Sequence, residues 1–445
     1  MSTAFIELND SGILCRHGDV TIVTPGCALL TKKGIITGEQ ALQQAWLLPQ
    51  QAYNQYWHQL NLSPLAATSK YARHHADLAY AQLQALYESA GRPEEVVFAV
   101  PGNVSNDQLS VLLGLVKASA FTAAGLVDAG VAAASLAGAT GRVLHVDMQM
   151  HTAVVTELDC SDMVARRRAS QYPELALKGF FDIWAGHIAN RFIEEYRYDP
   201  LHTAAGEQQL RDLLPDFVAK LVAQPELEIE LTANRGNFRL NILRSELLAA
   251  SHARWQHLIE TMGRLPAADV LLLSHRVAVL PGVDDVAQAI ALPTVALSAE
   301  AAVAACQRHL SYIVDDRTSL GFITALPVAS DAAALPSVAS PPTVGSALEA
   351  VPTHVLYDNT AYPVASVLAV MWRDGALQMT GDQPLSAVFG REGVAGFALR
   401  RNADSTSLYI ERETEAVQCS GNAKCLKVGD TLVFRGQSVT LIEVH

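Results

Sequence analysis

Charge is sparse along this chain, and positive charge most of all. Asp, Glu, Lys and Arg make up 17% of the 445 residues, with 32 basic against 45 acidic side chains. A net charge of −13 leaves little basic surface for a phosphate backbone, and the one basic run, Arg166, Arg167 and Arg168, has no aromatic platform beside it. The sequence therefore argues against a nucleic-acid partner, and the run is expected to be a solvated loop or strand end. Cysteine pairs are missing as well. The six cysteines, at positions 15, 27, 160, 306, 419 and 425, are scattered and form no CxxC pair, so no zinc knuckle and no other metal site is expected. Buried thiols in a reducing compartment, the cytoplasm, are the expectation. Residues 1–10 lack a basic segment followed by an apolar one, which predicts no signal peptide. Lys117 and Asp128 interrupt the apolar stretch 109–136, which predicts core helices and a strand, with no membrane span.

Apolar residues make up 50% of the chain, enough for a sizeable core, and the length exceeds what one core usually serves. Short apolar runs at 4–8, 12–16 and 20–23, separated by turn residues, predict an antiparallel meander. Helical spacing follows at 38–46 and 74–89, the latter stopped by Gly91 and Pro93. A buried strand is predicted at 96–100 and a helix at 105–118 capped by Ser105 or Asn106. A strand at 125–128, a small-residue helix at 130–136 and a strand pair at 143–147 and 152–158 complete a first half. Helices at 179–197, 207–223 and 244–262, strands at 227–232 and 238–242, a strand at 270–274 and a helix at 283–290 build a second, with Ser298 capping a last helix to about 310. The sum is an α/β body of two related halves, 1–158 and 159–323. Ala, Pro, Ser and Val without periodicity mark a linker at 324–352, and alternating apolar residues with Gly and Asp turns predict an all-β domain at 353–445.

The order of these elements, over about residues 4–313, resembles the nucleotide-binding domain of DnaK-type heat-shock chaperones and their actin-like relatives. Four segments carry the likeness: VFAVPGNVSNDQLSVLLGL at 97–115, LVDAGVAAA at 126–134, GFFDIWAGHIANRFIEEY at 179–196 and FRLNILRSE at 238–246. The resemblance implies a two-lobed actin-like (ribonuclease H-like) body that holds Mg-ATP between two phosphate loops. Glycines let backbone amides approach phosphate, and carboxylates hold the cation.

Each matching loop is altered here. The family's Asp-Leu-Gly-Thr-Thr is Glu7, Leu8, Asn9, Asp10, Ser11, and its Asp-Leu-Gly-Gly-Gly-Thr is Asp147, Met148, Gln149, Met150, His151, Thr152. The catalytic lysine falls near Trp57, in a segment, PQQAYNQYWHQL, without Lys or Arg, and the second carboxylate matches Ala129, beside Asp128. The glycine pair of the adenosine loop corresponds to Ser274 and His275 in SHRVAVLP. In the C-terminal part, VFGREGVAGFALRR and CLKVGDTLVFRG weakly resemble a forkhead-associated sandwich, in which Arg391 of Gly390-Arg391, helped by Arg400 and Arg401, would meet a phosphothreonine.

The expected function is thus a chaperone-like pseudo-ATPase, a scaffold for protein partners, with no cofactor and no confident catalytic residue. An ATP-binding chaperone or actin relative remains the alternative, with Glu7, Asp10, Asp147 and Thr152 around Mg²⁺. A phosphopeptide-dependent adaptor and an enzyme that reuses the cleft through His151, His275 and Asp147 are further alternatives.

Overall fold

The computed structural model describes residues 2–66, 69–233, 236–314 and 320–329. Towards the C-terminus it describes residues 352–357, 360–364, 367–373, 376–381, 395–401, 408–414, 417–419, 426, 430–435 and 437–442. The fold is mixed α/β, and the chain groups into two compact units, Met1–Pro341 and Pro342–His445.

The first unit opens with the expected meander, β1 (Thr3–Glu7), β2 (Ile13–His17) and β3 (Val20–Thr24). A small sheet of β4 (Ala28–Thr31), β5 (Gly34–Thr37) and β6 (Ala52–Tyr53) follows, with the short helix α1 (Glu39–Leu42) before β6. Next come α2 (Tyr56–Gln59), α3 (His75–Ser89) and β7 (Glu95–Val100), which runs parallel to β1. Then α4 (Asn106–Lys117) leads to β8 (Thr122–Asp128), parallel to β7.

The plan then recurs. After α5 (Ala129–Ser135) comes a second meander, β9 (Gly141–Met148), β10 (Ala153–Cys160) and β11 (Met163–Tyr172). Two long helices, α6 (Leu177–Tyr196) and α7 (Ala204–Ala223), precede the hairpin β12 (Glu226–Ala233) and β13 (Gly236–Leu243). Helix α8 (Arg244–Gly263) leads to β14 (Val270–Leu273), parallel to β9, and α9 (His275–Ala278) and α10 (Val283–Ile290) lead to β15 (Thr294–Ala296), parallel to β14. After α11 (Ala301–Arg308) and α12 (Leu310–Ile313), β16 (Phe322–Ile323) adds to β8 and β17 (Ala325–Pro327) to β11. The two six-stranded sheets are ordered β16-β8-β7-β1-β2-β3 and β15-β14-β9-β10-β11-β17. A meander flanked by two parallel strands therefore occurs twice.

Alternation along the strands decides what each face does. Ala4, Ile6, Val96 and Phe98 pack outward against α3 and α4, whereas Phe5, Val97 and Ala99 point inward. In the second sheet Leu144, Val146 and Leu271 pack outward against α6 and α8, while Val143 and Leu272 point inward. Helices α5 and α11 fill the space between the inner faces. Small residues make that possible: a Cβ on Gly130 would stand 3.0 Å from His145 Nδ1 and 3.1 Å from Thr156 Oγ1. The same parity puts Glu7 with Phe5, and Asp147 with Val143, on the two inner faces.

Several expectations are corrected. The helix over 38–46 shrinks to α1, and turns fill the chain as far as Gln51, where Pro49 cannot continue a helix. Ser298 is not the N-cap residue; α11 starts at Ala301 after Glu300, and Ser298 contributes only its carbonyl, which accepts from Ala301 N–H at 3.2 Å. The run Arg166, Arg167 and Arg168 lies within β11, with Arg166 bound to the buried Asp128 at 2.7 Å and Arg167 paired with Asp159. Residue 158 falls inside β10, so the second sheet already begins at Gly141. The expected linker opens on ordered chain, since β17 pairs with β11 and Ala329 N–H donates to Ser135 O at 3.1 Å. Capping at Ser105 holds: its hydroxyl accepts from Gln108 N–H and Gln108 Oε1 accepts from Ser105 N–H at 2.9 Å.

In the second unit the described residues form two antiparallel sheets. Strands β18 (His354–Tyr357), β19 (Thr360–Pro363), β20 (Val367–Arg373), β21 (Ala376–Gly381), β22 (Gly396–Arg401), β23 (Leu408–Glu413), β24 (Gln418–Cys419), β25 (Thr431–Phe434) and β26 (Gln437–Ile442) take the orders β19-β18-β26-β25-β24 and β21-β20-β22-β23. Both sheets feed one apolar cluster that includes Val370, Phe397, Phe434 and Leu441.

Candidate functional site

The inner ends of β1 and β9 converge, and the turns that follow them carry most of the polar residues singled out in the sequence. Glu7, Asn9, Asp10, Asp147, Gln149 and Ser274 are all buried there. Arg276, on the short helix α9, lies between the two acids. Its Nη1 donates to Glu7 Oε1 at 2.8 Å and to Asp147 Oδ1 at 3.5 Å, and its Nη2 donates to Gly12 O at 3.2 Å. Burial opposes a charge on Arg276, but the two carboxylates more than offset it and keep the guanidinium protonated. Burial would raise the Asp147 carboxyl too, yet the nearby Arg276 holds it below its ordinary value. Glu7 goes the other way, raised by burial that Arg276 only partly counters.

The two turns are tied directly to one another. Asn9 Nδ2 donates to Asp147 Oδ2 at 2.9 Å and to Met148 O at 3.3 Å, while Asn9 Oδ1 accepts from Ser11 N–H and Oγ–H. Asp10 Oδ1 accepts from Met150 N–H at 2.6 Å. Burial pushes the Asp10 carboxyl up to about 7, against the pull of the Met150 and His151 amides. Its second oxygen, Oδ2, has no hydrogen-bond partner among the described residues. The first amides of α6 are also taken: Leu177 N–H donates to Gln149 O at 3.0 Å and Lys178 N–H to Met150 O at 3.1 Å.

The amide that a glycine hairpin would offer to an anion is held by Asp10, and the carboxylates that would face a cation are held by Arg276. Mg-nucleotide does not fit these residues. Among the described residues there is also no group of three or more His, Cys, Asp and Glu side chains arranged to hold a metal ion.

A scan against protein-family models finds no match, and a search of the curated proteins finds none either.

Other expected site residues are placed as follows. Gln149 Nε2 turns to Asn103 Oδ1 at 3.2 Å, and His151 Nε2 meets Asn54 O at 3.0 Å beside the His58 ring. Burial lowers the basicity of both His58 and His151. Thr152 is fully buried, and its hydroxyl donates to Ala153 O at 3.1 Å. Ser274 N–H donates to Val146 O, joining β14 to β9. His275 faces the cleft, and burial, then the Arg276 charge, push it down to about 4, so it is neutral. Asp128 caps α5 through Val131 N–H at 3.0 Å and binds Arg166. Trp57, at the position matched to the family's lysine, donates with Tyr56 to Gln82 Oε1.

In the second unit, Arg401 is engaged by main-chain carbonyls of Val364 and Pro352, and Arg400 lies on β22 opposite Val367 and Tyr409. Arg391 lies outside the described residues. Cys15, Cys27, Cys160 and Cys306 are buried free thiols, with Cys15 pushed up to about 12 by burial. No described helix is long and apolar enough to cross a membrane.

Arg276 is the residue that sequence reasoning missed. Its signal was present, since it is the only basic residue in SHRVAVLP, next to two positions already assigned to the cleft.

Two cavities flank the tied turns. The smaller, about 280 Å³, is lined by amides such as Asn9, Asn103, Gln108 and Gln149. The larger, about 640 Å³, runs between the β4–β6 region and the helices α6, α7 and α9. Asp10 contributes to the walls of both.

Proposed function

We propose that this chain is a degenerate actin-like protein of the DnaK type, a two-lobed body followed by an all-β sandwich domain, that serves as a scaffold for protein partners and not as an ATPase. Support for the architecture comes from the repeated plan of its sheets, meander first and parallel strands after, with α5 and α11 between them. Support for lost turnover rests on one observation above the others: Arg276 ties Glu7 to Asp147 where the resemblance calls for a cation, while Asp10 holds the hairpin amide of Met150. These contacts are made by the protein's own side chains, so the lobes need no nucleotide to hold the turns together. A body whose cleft chemistry is closed while its fold stays intact is suited to presenting surface.

Phosphate release from about 1 mM Mg-ATP by the purified chain tests this reading, since typical enzymes turn over at about 1 s⁻¹ or faster. No release above the protein-free blank is expected. A rate that Asp147→Ala abolishes would overturn the proposal.

A further inference from the structure

The cleft of about 640 Å³ has the volume of a small-molecule site, and its walls are mostly apolar. Trp46 and Ala52 stand on one side, Phe181, Leu214 and Val218 on the other. The walls are braced against each other. Gln208 of α7, itself buried, accepts from Trp46 N–H at 2.9 Å and donates to Leu42 O at 2.9 Å, and the Arg211 guanidinium lies 5.6 Å from the centre of the Trp46 ring. The space is therefore preformed.

Its walls carry three acids, Asp10, Asp182 and Glu207, against three bases, and the buried centre beside them adds two more acids. Every basic residue on its walls is already matched: Lys178 with Asp182 at 2.5 Å, Arg211 with Asp182 at 2.6 Å and Glu207 at 3.5 Å, Arg276 with Glu7 and Asp147. His275, also on the wall, is neutral. What remains without an ionic partner is Asp10, 5% exposed, whose buried Oδ2 has no hydrogen-bond partner among the described residues; on the same walls the Nε of Arg211 also lacks one, although its terminal nitrogens are paired. Beside it the buried centre holds two further carboxylates, Glu7 and Asp147, against one guanidinium. An anion would find no unmatched cation here, and a neutral apolar molecule would leave Asp10 as it is. A cation would supply the missing partner.

We propose that this cleft binds a small organic amine with an apolar body, its ammonium directed to Asp10 and its body against the Trp46 and Phe181 walls. The site stands beside the scaffold reading and does not depend on it, because it asks for a ligand of the opposite charge to a nucleotide.

Three probes of one shape separate the possibilities by calorimetric titration at pH 8: 4-phenylbutylamine, 4-phenylbutanol and 4-phenylbutyrate. The amine is expected to bind at least about tenfold tighter than the alcohol, as one charge-assisted contact allows, and the acid more weakly than either. Asp10→Asn keeps an oxygen for the Met150 amide and removes the charge, so it should bring the amine down to the alcohol and leave the alcohol unchanged. The order of the three probes on the unmodified chain decides the matter if that variant does not fold. The proposal is overturned if the acid binds as well as the amine, if none of the three binds, or if Asp10→Asn leaves the amine's advantage intact. A quench of tryptophan emission by the amine that survives Trp46→Phe would place the binding elsewhere and overturn it equally.

Discussion

Replacing Arg276 with Met removes the guanidinium while keeping much of its length, and it strands two carboxylates. Both are buried, and both face the vacated point from within 3.5 Å, along with the carbonyl of Gly12. Breaking a buried pair from one side costs about 3–5 kcal/mol, because the remaining charge has neither water nor partner. Protonation limits that loss. Glu7 is already raised by burial, and without Arg276 both acids take up a proton more readily in the folded state. The folded variant therefore binds more protons than its unfolded chain, and its stability rises as pH falls. The unmodified protein behaves oppositely at Asp147, whose lowered carboxyl contributes stability above its unfolded value and loses it on acidification. The gap between the two proteins should be widest near pH 8 and narrow towards pH 4.

Urea unfolding followed by tryptophan emission, extrapolated to water at both pH values, measures that gap. A combined Glu7→Gln, Asp147→Asn, Arg276→Met variant should regain most of the loss at pH 8, since an uncharged centre has nothing left to neutralise. A deficit below about 1 kcal/mol for Arg276→Met at pH 8 would mean that the buried pair behaves as an exposed contact does, contrary to this expectation.

Asp10→Asn should stabilise the fold at pH 8 and have little effect at pH 4. The Asp10 carboxyl is raised to about 7, so the folded chain holds its proton between roughly 4 and 7 and loses stability as pH rises through that window, by up to about 4 kcal/mol; calorimetric melting at the two pH values checks it, and equal shifts at both would contradict it. Asp128→Ala should cost about 3–5 kcal/mol, because Asp128 both caps α5 and pairs with Arg166 without solvent access, whereas Asp159→Ala, at an exposed pair with Arg167, should cost far less; comparable losses in urea would show that burial is not what separates them. Ser105→Ala should cost about 1 kcal/mol through the capping box of α4, measured in the same way, and an unchanged midpoint would mean the box is idle.

Elements with a clean period were legible. Strands β1, β7 and β9 alternate or run wholly apolar, and α3, α4 and α8 carry spaced leucines closed by caps or by Gly and Pro. Strand β11 was not legible, because Arg166, Arg167 and Arg168 mask its alternation; only the structure shows that Arg166 points to Asp128 and Arg167 to Asp159. Strands β15, β16 and β17 have 2 or 3 residues each and are defined by their neighbours alone. In the cleft, loop positions found Glu7, Asn9, Asp10 and Asp147 together. Parity placed the two acids on facing inner surfaces, but their counter-ion came from α9, 129 residues beyond Asp147, a distance no local pattern spans.

On the proposed reading, Asp10 and Arg276 occupy, as parts of the protein, the positions where phosphate and its cation would bind. Calorimetric titration of the intact chain with Mg-ATP and Mg-ADP tests it most directly. No saturable heat is expected up to about 1 mM of either nucleotide, whereas binding tighter than about 100 μM that disappears in Asp147→Ala would contradict it.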